Sequence, residues 1–511
     1  MRWRARPGWR LALPDRAPAP IRLRLADGLA TEPSWQGANR FAFLNIAHEF
    51  PREIAWNEPA HGRLWTYRLN CFEFLNQPDM TPEAGAGLLR AFASARDSLR
   101  DGLEPYPTSL RLVNWALFNA RFARMPDADE QRFFFAQADL LSRSLERHLL
   151  GNHYLENGFG LLFAAAAFGN ERWLRLARNI LADELHEQIL GDGAHFERSP
   201  MYHAILLCRA LDALNLALSN PDWPGAALAG LLADKAEIML RWLQAVTFGN
   251  GAIPLANDAA VGVAPATDAL AAYANRLLAT IPPERRPAPE PRAAAARAGD
   301  ESGYRMIRGN GFELFCDVGP VGPDYIPGHA HADTLSFVLH AGGRPLVTDP
   351  GVSTYVKNAR RQQERGTAFH NTVAVDGRDS SEVWGGFRVG RRARPTHVRE
   401  TPTTLAAAHD GYGPEGHARR WDWSQPNRIA IEDRVRHAGT ARFHFHPLAT
   451  VRQTGEYRFE TEQATITFDG ARHAELEDYA CPDGFNRLRP AQCIAAEFEG
   501  KLNTAISLVR T

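Results

Sequence analysis

Three histidine- and aspartate-bearing motifs follow one another in the chain: GHAHAD (328–333), TDPG (348–351) and FHN (369–371). Glycine breaks and strand-forming residues around them indicate a β-rich region. If residues 329–333 form a strand, its two-residue period places His329, His331 and Asp333 on one face. Imidazole and carboxylate groups suit a borderline-soft metal and leave an imidazole for acid–base chemistry. The region therefore predicts a metal site within a β-fold.

The second motif adds a carboxylate at a turn. Leu346 and Val347 form a short apolar approach to Asp349, which opens an Asp-Pro-Gly turn from which its carboxylate could point toward His331. A purely structural interpretation stays open, with Asp349 as a turn residue and each histidine as a packed polar residue.

Composition sets the class of protein. The chain has 511 residues, of which 45% are hydrophobic and 23% are charged, and this predicts two or three globular domains with ample core. The formal net charge of -1 provides no whole-molecule field for nucleic acid or an anionic membrane. Five scattered cysteines without CxxC spacing predict buried thiols rather than a disulfide framework or a zinc ribbon.

Targeting signals are weak. No apolar run reaches about 18 residues, so the sequence predicts no membrane span. The arginine-rich start is interrupted by prolines and lacks an apolar segment of signal-peptide length, which predicts a cytoplasmic protein, or a periplasmic one if the start is misassigned.

The character of the chain changes at a proline-, alanine- and arginine-rich stretch, residues 282–302, which we interpret as a linker. The predicted organisation is an N-terminal extension (1–39), a helical domain (40–281), this linker and a β-domain (303–511). The class is therefore α+β multidomain, with helices first and sheets second.

Helical periodicity marks eight segments before the linker: 83–100, 108–123, 130–149, 153–168, 171–188, 200–218, 227–247 and 267–280. Short connections between them predict antiparallel helix pairs, which suit a bundle, a solenoid or a closed α/α toroid. Strand signals follow the linker, at residues 312–316, 334–340, 372–375 and 464–468, and favour antiparallel sheets packed as a sandwich.

Two motifs in the helical part carry polar residues. Within residues 149–157, Asn152, His153 and Glu156 could share one helical turn, although Asn152 could instead be a helix N-cap. Ser199 before Pro200 predicts a helix start that sets Tyr202 in the first turn, where a tyrosine could equally be a core residue.

These motifs together, in this order, resemble the heparinase II/III-like polysaccharide lyases. The resemblance covers most of the chain from about residue 40 and is strongest over residues 328–390. It implies an N-terminal α/α toroid joined to a C-terminal antiparallel β-sandwich, and an enzyme that cleaves uronate-containing glycans by β-elimination.

The resemblance also implies roles for individual residues. Asn152 would hold the substrate carboxylate, Tyr202 would act as the acid and in one arrangement also as the base, and His153 or His329 would act as the base or stabilise charge. His331, Asp349 and His370 would bind one divalent metal, zinc, in a structural role. The substrate-side residues would be Glu156, Tyr355, Arg365 and Glu382, for each of which a structural role is also open.

The implied partner is an acidic polysaccharide or oligosaccharide, with no nucleic acid; no oligomeric state is predicted. The balanced charge favours a less sulfated uronate polymer, such as a bacterial exopolysaccharide. Two alternatives stay open: a metal-dependent glycan hydrolase that uses the histidine and aspartate site, and a catalytically silent glycan-binding protein of a polysaccharide assembly system.

Overall fold

The computed structural model describes residues 11–281, 299–414 and 416–509. The chain forms two compact units, the first within Met1–Gln188, Leu206–Glu237 and Ala269–Pro289, and the second within Ile189–Ile205, Ile238–Asp268 and Glu290–Thr511. Most of the predicted linker, residues 282–298, lies outside the described residues.

Nine α-helices occur between residues 11 and 281: α1 (Arg63–Cys71), α2 (Pro82–Ser94), α3 (Pro105–Arg121), α4 (Ala128–Arg143), α5 (Gly151–Phe168), α6 (Glu171–Gln188), α7 (Pro200–Ser219), α8 (Ala229–Val246) and α9 (Thr267–Leu278). Each of the eight predicted helical segments overlaps one of them. Their starts follow ordinary capping chemistry, as in α4, where Asp127 and Glu130 form a capping box. Only α1 has no counterpart in the prediction.

The first unit holds α1 to α6 around a core of leucine, phenylalanine and tryptophan side chains. Helix α5 is buried on nearly every side. It approaches α3 closely because Gly160 has no side chain, and a Cβ there would lie 2.7 Å from the Cα of Ser109. A short antiparallel pair, β1 (Arg40–Phe43) and β2 (Ile46–Glu49), precedes the helices in a stretch for which we predicted no strand.

One helix among the described residues is long and apolar enough to cross a membrane, the helix α7. Of its most apolar window, 78% is buried inside the protein, as is usual for a core helix. The five cysteines are free thiols, four of them buried and Cys208 half-buried, which confirms the predicted cysteine state.

The second unit contains antiparallel strands β3 (Tyr304–Gly309), β4 (Phe312–Asp317), β5 (Phe337–Ala341), β6 (Arg344–Val347), β7 (Val373–Val375), β8 (Val383–Trp384), β9 (Arg388–Val389), β10 (Pro395–Thr401), β11 (Thr404–His409), β12 (His417–Asp422), β13 (Arg428–His444), β14 (Arg452–Gly455), β15 (Arg458–Glu460), β16 (Ala464–Pro482) and β17 (Leu488–Leu508). A short helix, α10 (Ala359–Arg365), lies between β6 and β7.

Two of these sheets face one another. One has four strands in the order β3-β4-β5-β6; the other has nine, ordered β10-β11-β12-β13-β17-β16-β15-β14 with β7 added beside β13. Alternate residues of the long strand β13 are buried, as expected when one sheet face is covered. Side chains such as Leu339 and Phe337 of the small sheet and Phe443 and Ile494 of the large sheet share one hydrophobic core. The predicted sandwich architecture is therefore present.

The structure corrects one local prediction and excludes one open alternative. Residues 329–333 form an irregular loop before β5, not a strand. The reason is that their backbone bonds lead to α10: the N–H of Ala332 donates to the carbonyl of Arg365, whose guanidinium donates to the carbonyl of Ala330. Asn152 is not an N-cap, because α5 begins at Gly151 and Leu150 occupies the cap position.

A buried ion pair lies between the sheets. The carboxylate of Asp433 accepts from the guanidinium of Arg419 at 2.7 and 3.0 Å and lies 2.7 Å from the Nε2 atom of His417. Burial by itself would raise the pKa of Asp433, but Arg419 and His417 together lower it to about 2.

Acidification is expected to remove the stabilisation that Asp433 provides. With an unfolded pKa near 3.9, this carboxyl contributes on the order of 2 kcal/mol above about pH 5, and the contribution is lost as the pH falls through 3.9 toward 2. Urea unfolding should show that the unmodified protein has a larger free energy of unfolding than the Asp433→Asn variant at pH 7. This difference should be smaller at about pH 3. The exposed Asp376→Asn control should show no such narrowing, and a constant gap for Asp433→Asn would contradict the prediction.

Candidate functional site

The predicted acid and one predicted base meet in the second unit. Helix α7 begins at Pro200, as predicted, and the hydroxyl of Ser199 accepts from the N–H of Tyr202 at 3.3 Å. This cap orients Tyr202 in the first turn, where its ring packs edge-on against that of His329 with centroids 4.1 Å apart. The hydroxyls of Tyr202 and Tyr355 share a hydrogen bond of 3.0 Å.

The phenol of Tyr202 is held in its protonated form. Burial raises its pKa well above the ordinary value, and the nearby Tyr355 and Asp258 raise it further. At neutral pH the group can therefore donate a proton to a leaving oxygen.

His329 is partly accessible, with 16% of its side chain exposed. Its Nε2 atom lies 3.5 Å from a carboxylate oxygen of Glu197, and its Nδ1 atom lies 3.5 Å from one of Asp258. Two carboxylates therefore flank the ring of His329.

Asp258 joins several of these groups and was missed by the sequence analysis. Its fully buried carboxylate accepts two bonds from the guanidinium of Arg361, at 2.5 and 2.7 Å, and one from the Nε2 atom of His331 at 2.9 Å. Burial would raise the pKa of Asp258, yet Arg361 and His331 overcome burial and lower it well below the usual range. The only sequence signal was an Asn-Asp pair in an otherwise apolar loop, residues 252–260.

Arg361 was missed as well. Its guanidinium is almost fully buried and lies over the rings of Tyr355 and Phe387, 5.0 and 5.2 Å from their centroids. Through Tyr355 the buried ion pair reaches the hydroxyl of Tyr202, and through Asp258 it reaches His329. One charge pair thus supports both predicted reactive groups.

Two of the three predicted metal ligands, Asp349 and His370, lie together in the second unit with Asp333, whereas His331 falls outside this group. Asp333, Asp349 and His370 are buried, and each offers a ligand atom within 4.8 Å of the others. Asp349 opens its turn as predicted, accepting from the N–H of Gly351 at 3.1 Å, but its other oxygen contacts the Nδ1 atom of His370 at 2.9 Å rather than His331.

The donor chemistry of this cluster fits a cation. Among the described residues, the buried Nδ1 atom of His331 and Nε2 atom of His370 have no hydrogen-bond partner. The two rings lie 5.2 Å apart, and Asp258 accepts from the opposite nitrogen of His331, an arrangement typical of metal-binding histidines. Burial lowers the pKa of His331 to about 3, which keeps this ring neutral and its lone pair available.

Neighbouring charges and burial shift the pKa values within the cluster. Burial alone would lower the pKa of His370, but Asp349 raises it to about 9. The pKa of Asp333 is raised, first by burial and then by Asp349. A bound cation would displace protons from such a set.

Asn152, His153 and Glu156 lie on α5 in the first unit. Asn152 is buried, whereas His153 is about a third exposed, stacks on Tyr106 with centroids 4.3 Å apart and lies 3.3 Å from a carboxylate oxygen of Glu146. Their predicted roles toward the substrate stay predictions.

Glu156 is 1% exposed, and its carboxylate lies 3.3 Å from the Nε atom of Arg209, which also pairs with Asp212 at 3.0 Å. Burial raises the pKa of Glu156 despite Arg209. The carboxylate thus belongs to a buried charge network within the first unit.

The other predicted substrate-side residues occupy different environments. Arg365 is fully buried and donates to the carbonyl of Ala330 at 2.9 Å, so it supports the loop that carries His329. Tyr355 is half-buried beside Tyr202, and Glu382 is exposed just before β8. Contact of any of them with substrate stays a prediction.

Comparisons with known proteins agree with the motifs. The family model described as heparinase II/III-like, C-terminal, matches residues 291–509, and the heparinase II/III N-terminus model matches residues 131–278. A heparin-sulfate lyase of Pedobacter heparinus is 25% identical over 260 residues, which are 48% of this chain and 38% of that protein. One from Bacteroides stercoris is 25% identical over 256 residues, 46% of this chain and 37% of that protein. Each match thus spans less than half of the relative.

Solved structures share the fold. The crystal structure of heparinase III superposes with a TM-score of 0.70 at 16% identity, covering 90% of this chain and 80% of that one. A mutant of the heparan sulfate lyase HepC from Pedobacter heparinus superposes with a TM-score of 0.60 at 17% identity, covering 93% and 81%. The predicted class, an N-terminal α/α toroid followed by an antiparallel β-sandwich, is confirmed. Because family models match both the helical and the sheet region, the chain belongs to the heparinase II/III-like family.

Proposed function

We propose that this protein is a polysaccharide lyase that cleaves a uronate-containing glycan by β-elimination. The observation that carries the proposal is the contact between the rings of Tyr202 and His329, with centroids 4.1 Å apart. It places a protonated phenol beside an imidazole that is partly open to solvent.

β-Elimination needs a base and an acid at adjacent carbons. The base removes the proton at C5 of the uronate, the electron pair forms the C4–C5 double bond, and the bond from C4 to the bridging oxygen breaks. The acid gives that oxygen a proton, so the products are an unsaturated uronate and a new sugar hydroxyl. Neutralising the uronate carboxylate makes the C5 proton acidic enough to leave.

The side chains support an assignment of these roles. Tyr202 is the acid, because its raised pKa keeps the phenol protonated. His329 is the base, and the carboxylates of Glu197 and Asp258 stabilise its imidazolium after proton transfer. The family resemblance assigns the uronate carboxylate to Asn152, with His153 beside it.

The substrate class follows from two observations. Two relatives are named heparin-sulfate lyases, which supports an acidic polysaccharide. The formal net charge of -1 favours a less sulfated uronate polymer over a highly sulfated one, because dense sulfate is best held by a strongly basic surface.

The proposal includes one structural zinc ion held by His331, Asp349 and His370, with Asp333 adjoining. When bound, the ion supplies positive charge and a cross-link between three segments. His331 is two residues from His329, so this cross-link would hold the loop that carries the proposed base.

Metal removal is expected to lower the stability of the fold but to change the reaction rate little. Chelation should release about one equivalent of metal per chain and reduce the free energy of unfolding by about 3 kcal/mol or more, while rates measured well below the melting temperature stay close to the untreated value. Metal analysis, thermal melts and initial rates test this. A His370→Ala variant should melt at the lower temperature with no further effect of chelator. Complete loss of activity on chelation would instead support the hydrolase alternative.

The test of the proposed function is absorbance in the unsaturated-uronate band during incubation with heparosan, hyaluronan, alginate and heparan sulfate. A rise establishes elimination and identifies the polymer, and cleavage confined to highly sulfated chains would contradict the substrate preference. New reducing ends without absorbance would indicate hydrolysis. Binding without new chain ends would indicate a catalytically silent glycan-binding protein.

A further inference from the structure

A small hairpin in the second unit exposes two large aromatic rings. Strands β8 and β9 pair Trp384 with Arg388, and the turn between them uses Gly385 and Gly386 at φ of 59° and 84°. The side chains of Trp384 and Phe387 are 43% and 38% exposed. Exposed aromatic rings on one short hairpin are characteristic of binding surfaces.

The hairpin is held by three side chains of α10, of which Arg361 and Arg365 are buried. The guanidinium of Arg361 donates to the carbonyl of Gly386 at 3.0 Å, and the amide of Gln362 donates to that of Val383 at 2.7 Å. Arg365 donates to the carbonyls of Trp384 and Arg388 at 3.4 and 3.3 Å. The two rings therefore stand on an ordered backbone, so little conformational entropy is lost when a ligand contacts them.

The ring of Phe387 lies next to the proposed catalytic pair. The Phe387 ring centroid lies 5.5 Å from that of Tyr355 and 6.4 Å from that of His329. Two exposed cationic side chains border the hairpin: Arg388 follows Phe387, and Lys357 lies against Gly386, with its Cγ atom 3.0 Å from an ideal Cβ at that glycine. An aromatic surface with a cationic rim suits a sugar that has an apolar face and a carboxylate edge.

We propose that Phe387 and Trp384 form a stacking subsite for a pyranose ring of the glycan adjacent to the cleaved bond. The C–H face of a pyranose packs on the negative face of an aromatic ring, while Lys357 and Arg388 attract the carboxylates of uronates in the same chain. This subsite rests on the proposed function, since it assumes a glycan at His329, and it adds a determinant of glycan binding that uses no chemical step.

Calorimetric binding of hexasaccharides from heparosan, hyaluronan, alginate and heparan sulfate tests the subsite in the Tyr202→Phe background, which retains bound ligand intact. Adding Phe387→Ala should weaken the best-bound hexasaccharide about five- to tenfold, and Trp384→Ala should weaken it about threefold or more. Phe387→Tyr should bind like the background. The matched control is Leu448→Ala, which removes an aliphatic side chain that is 78% exposed. This variant should also bind like the background. Circular dichroism melts verify that each variant is folded.

The outcomes separate the subsite from the lyase. Equal dissociation constants for the background and for both alanine variants overturn the subsite even if the protein releases unsaturated products. If the alanine substitutions weaken binding but the unmodified protein releases no unsaturated product, the result supports the subsite and overturns the lyase. Failure of the background to bind any hexasaccharide overturns the subsite, and the absorbance assay then decides the lyase separately.

Discussion

Replacing Tyr202 with Phe is expected to lower the rate of elimination by about 10²- to 10⁴-fold, the usual contribution of a positioned proton donor. The change removes one oxygen and leaves the ring that packs against His329. Binding of glycan should change little, because the phenol assists only the departing oxygen. Initial rates in the unsaturated-uronate band and dissociation constants measured by calorimetry test the two halves of this prediction.

Tyr355→Phe is the matched control for the loss of a hydroxyl in the same hydrogen bond. Its ring would still lie against the guanidinium of Arg361, and Tyr202 would keep its own hydroxyl. We expect the rate to fall about tenfold at most, in line with one neutral hydrogen bond. If Tyr202→Phe retained a rate within about threefold of the unmodified protein, Tyr202 would not be the acid.

Replacing Asp258 with Asn is expected to impair stability, metal content and activity together. The substitution preserves shape but leaves Arg361 buried without its bidentate carboxylate, a change that commonly costs about 3–5 kcal/mol. It also weakens the bond that orients His331, so metal affinity should fall about 10- to 100-fold. The substitution also takes away one of the two carboxylates that flank the ring of His329.

Asp433→Asn separates the site-specific effects from the general cost of breaking a buried ion pair. Asp433 is fully buried and pairs with Arg419 through two bonds, as Asp258 does with Arg361. Both variants should lose comparable stability in urea unfolding. At equal folded fraction, however, only Asp258→Asn should lose activity and metal. Equal losses of activity in the two variants would show that Asp258 acts through stability alone.

Much of the fold could be predicted because its signals are local. The eight helical segments had apolar residues at helical spacing, and each overlaps a helix. The start of α7 followed from Ser199 before Pro200, two neighbouring residues with a known capping preference. The prediction failed at residues 329–333, where alternating polar and apolar residues suggested a strand. There the bonds with Arg365 decide the backbone conformation.

The reactive residue types were recognisable in the sequence, but their partners were not. His329, His331 and His370 were identified from motifs, whereas Asp258 and Arg361 looked like an ordinary loop aspartate and a helix arginine. Apart from the Asn-Asp pair that contains Asp258, nothing in their immediate neighbours marks them. Their importance comes from burial, since a charge removed from water must find an opposite charge and complete its hydrogen bonds.

By itself, then, the sequence determined most of the helices, the order of the helical and β regions, the family and the residues able to donate, accept or bind a metal, because these properties depend on neighbours within a few turns of chain. Only the tertiary structure decided which carboxylate supports which imidazole. Asp258 is 73 residues from His331 and 103 from Arg361, and these groups meet because the second unit buries them together. In the low-polarity interior of this unit an unpaired charge costs much free energy. The folded state is therefore the one in which these charged groups pair with one another.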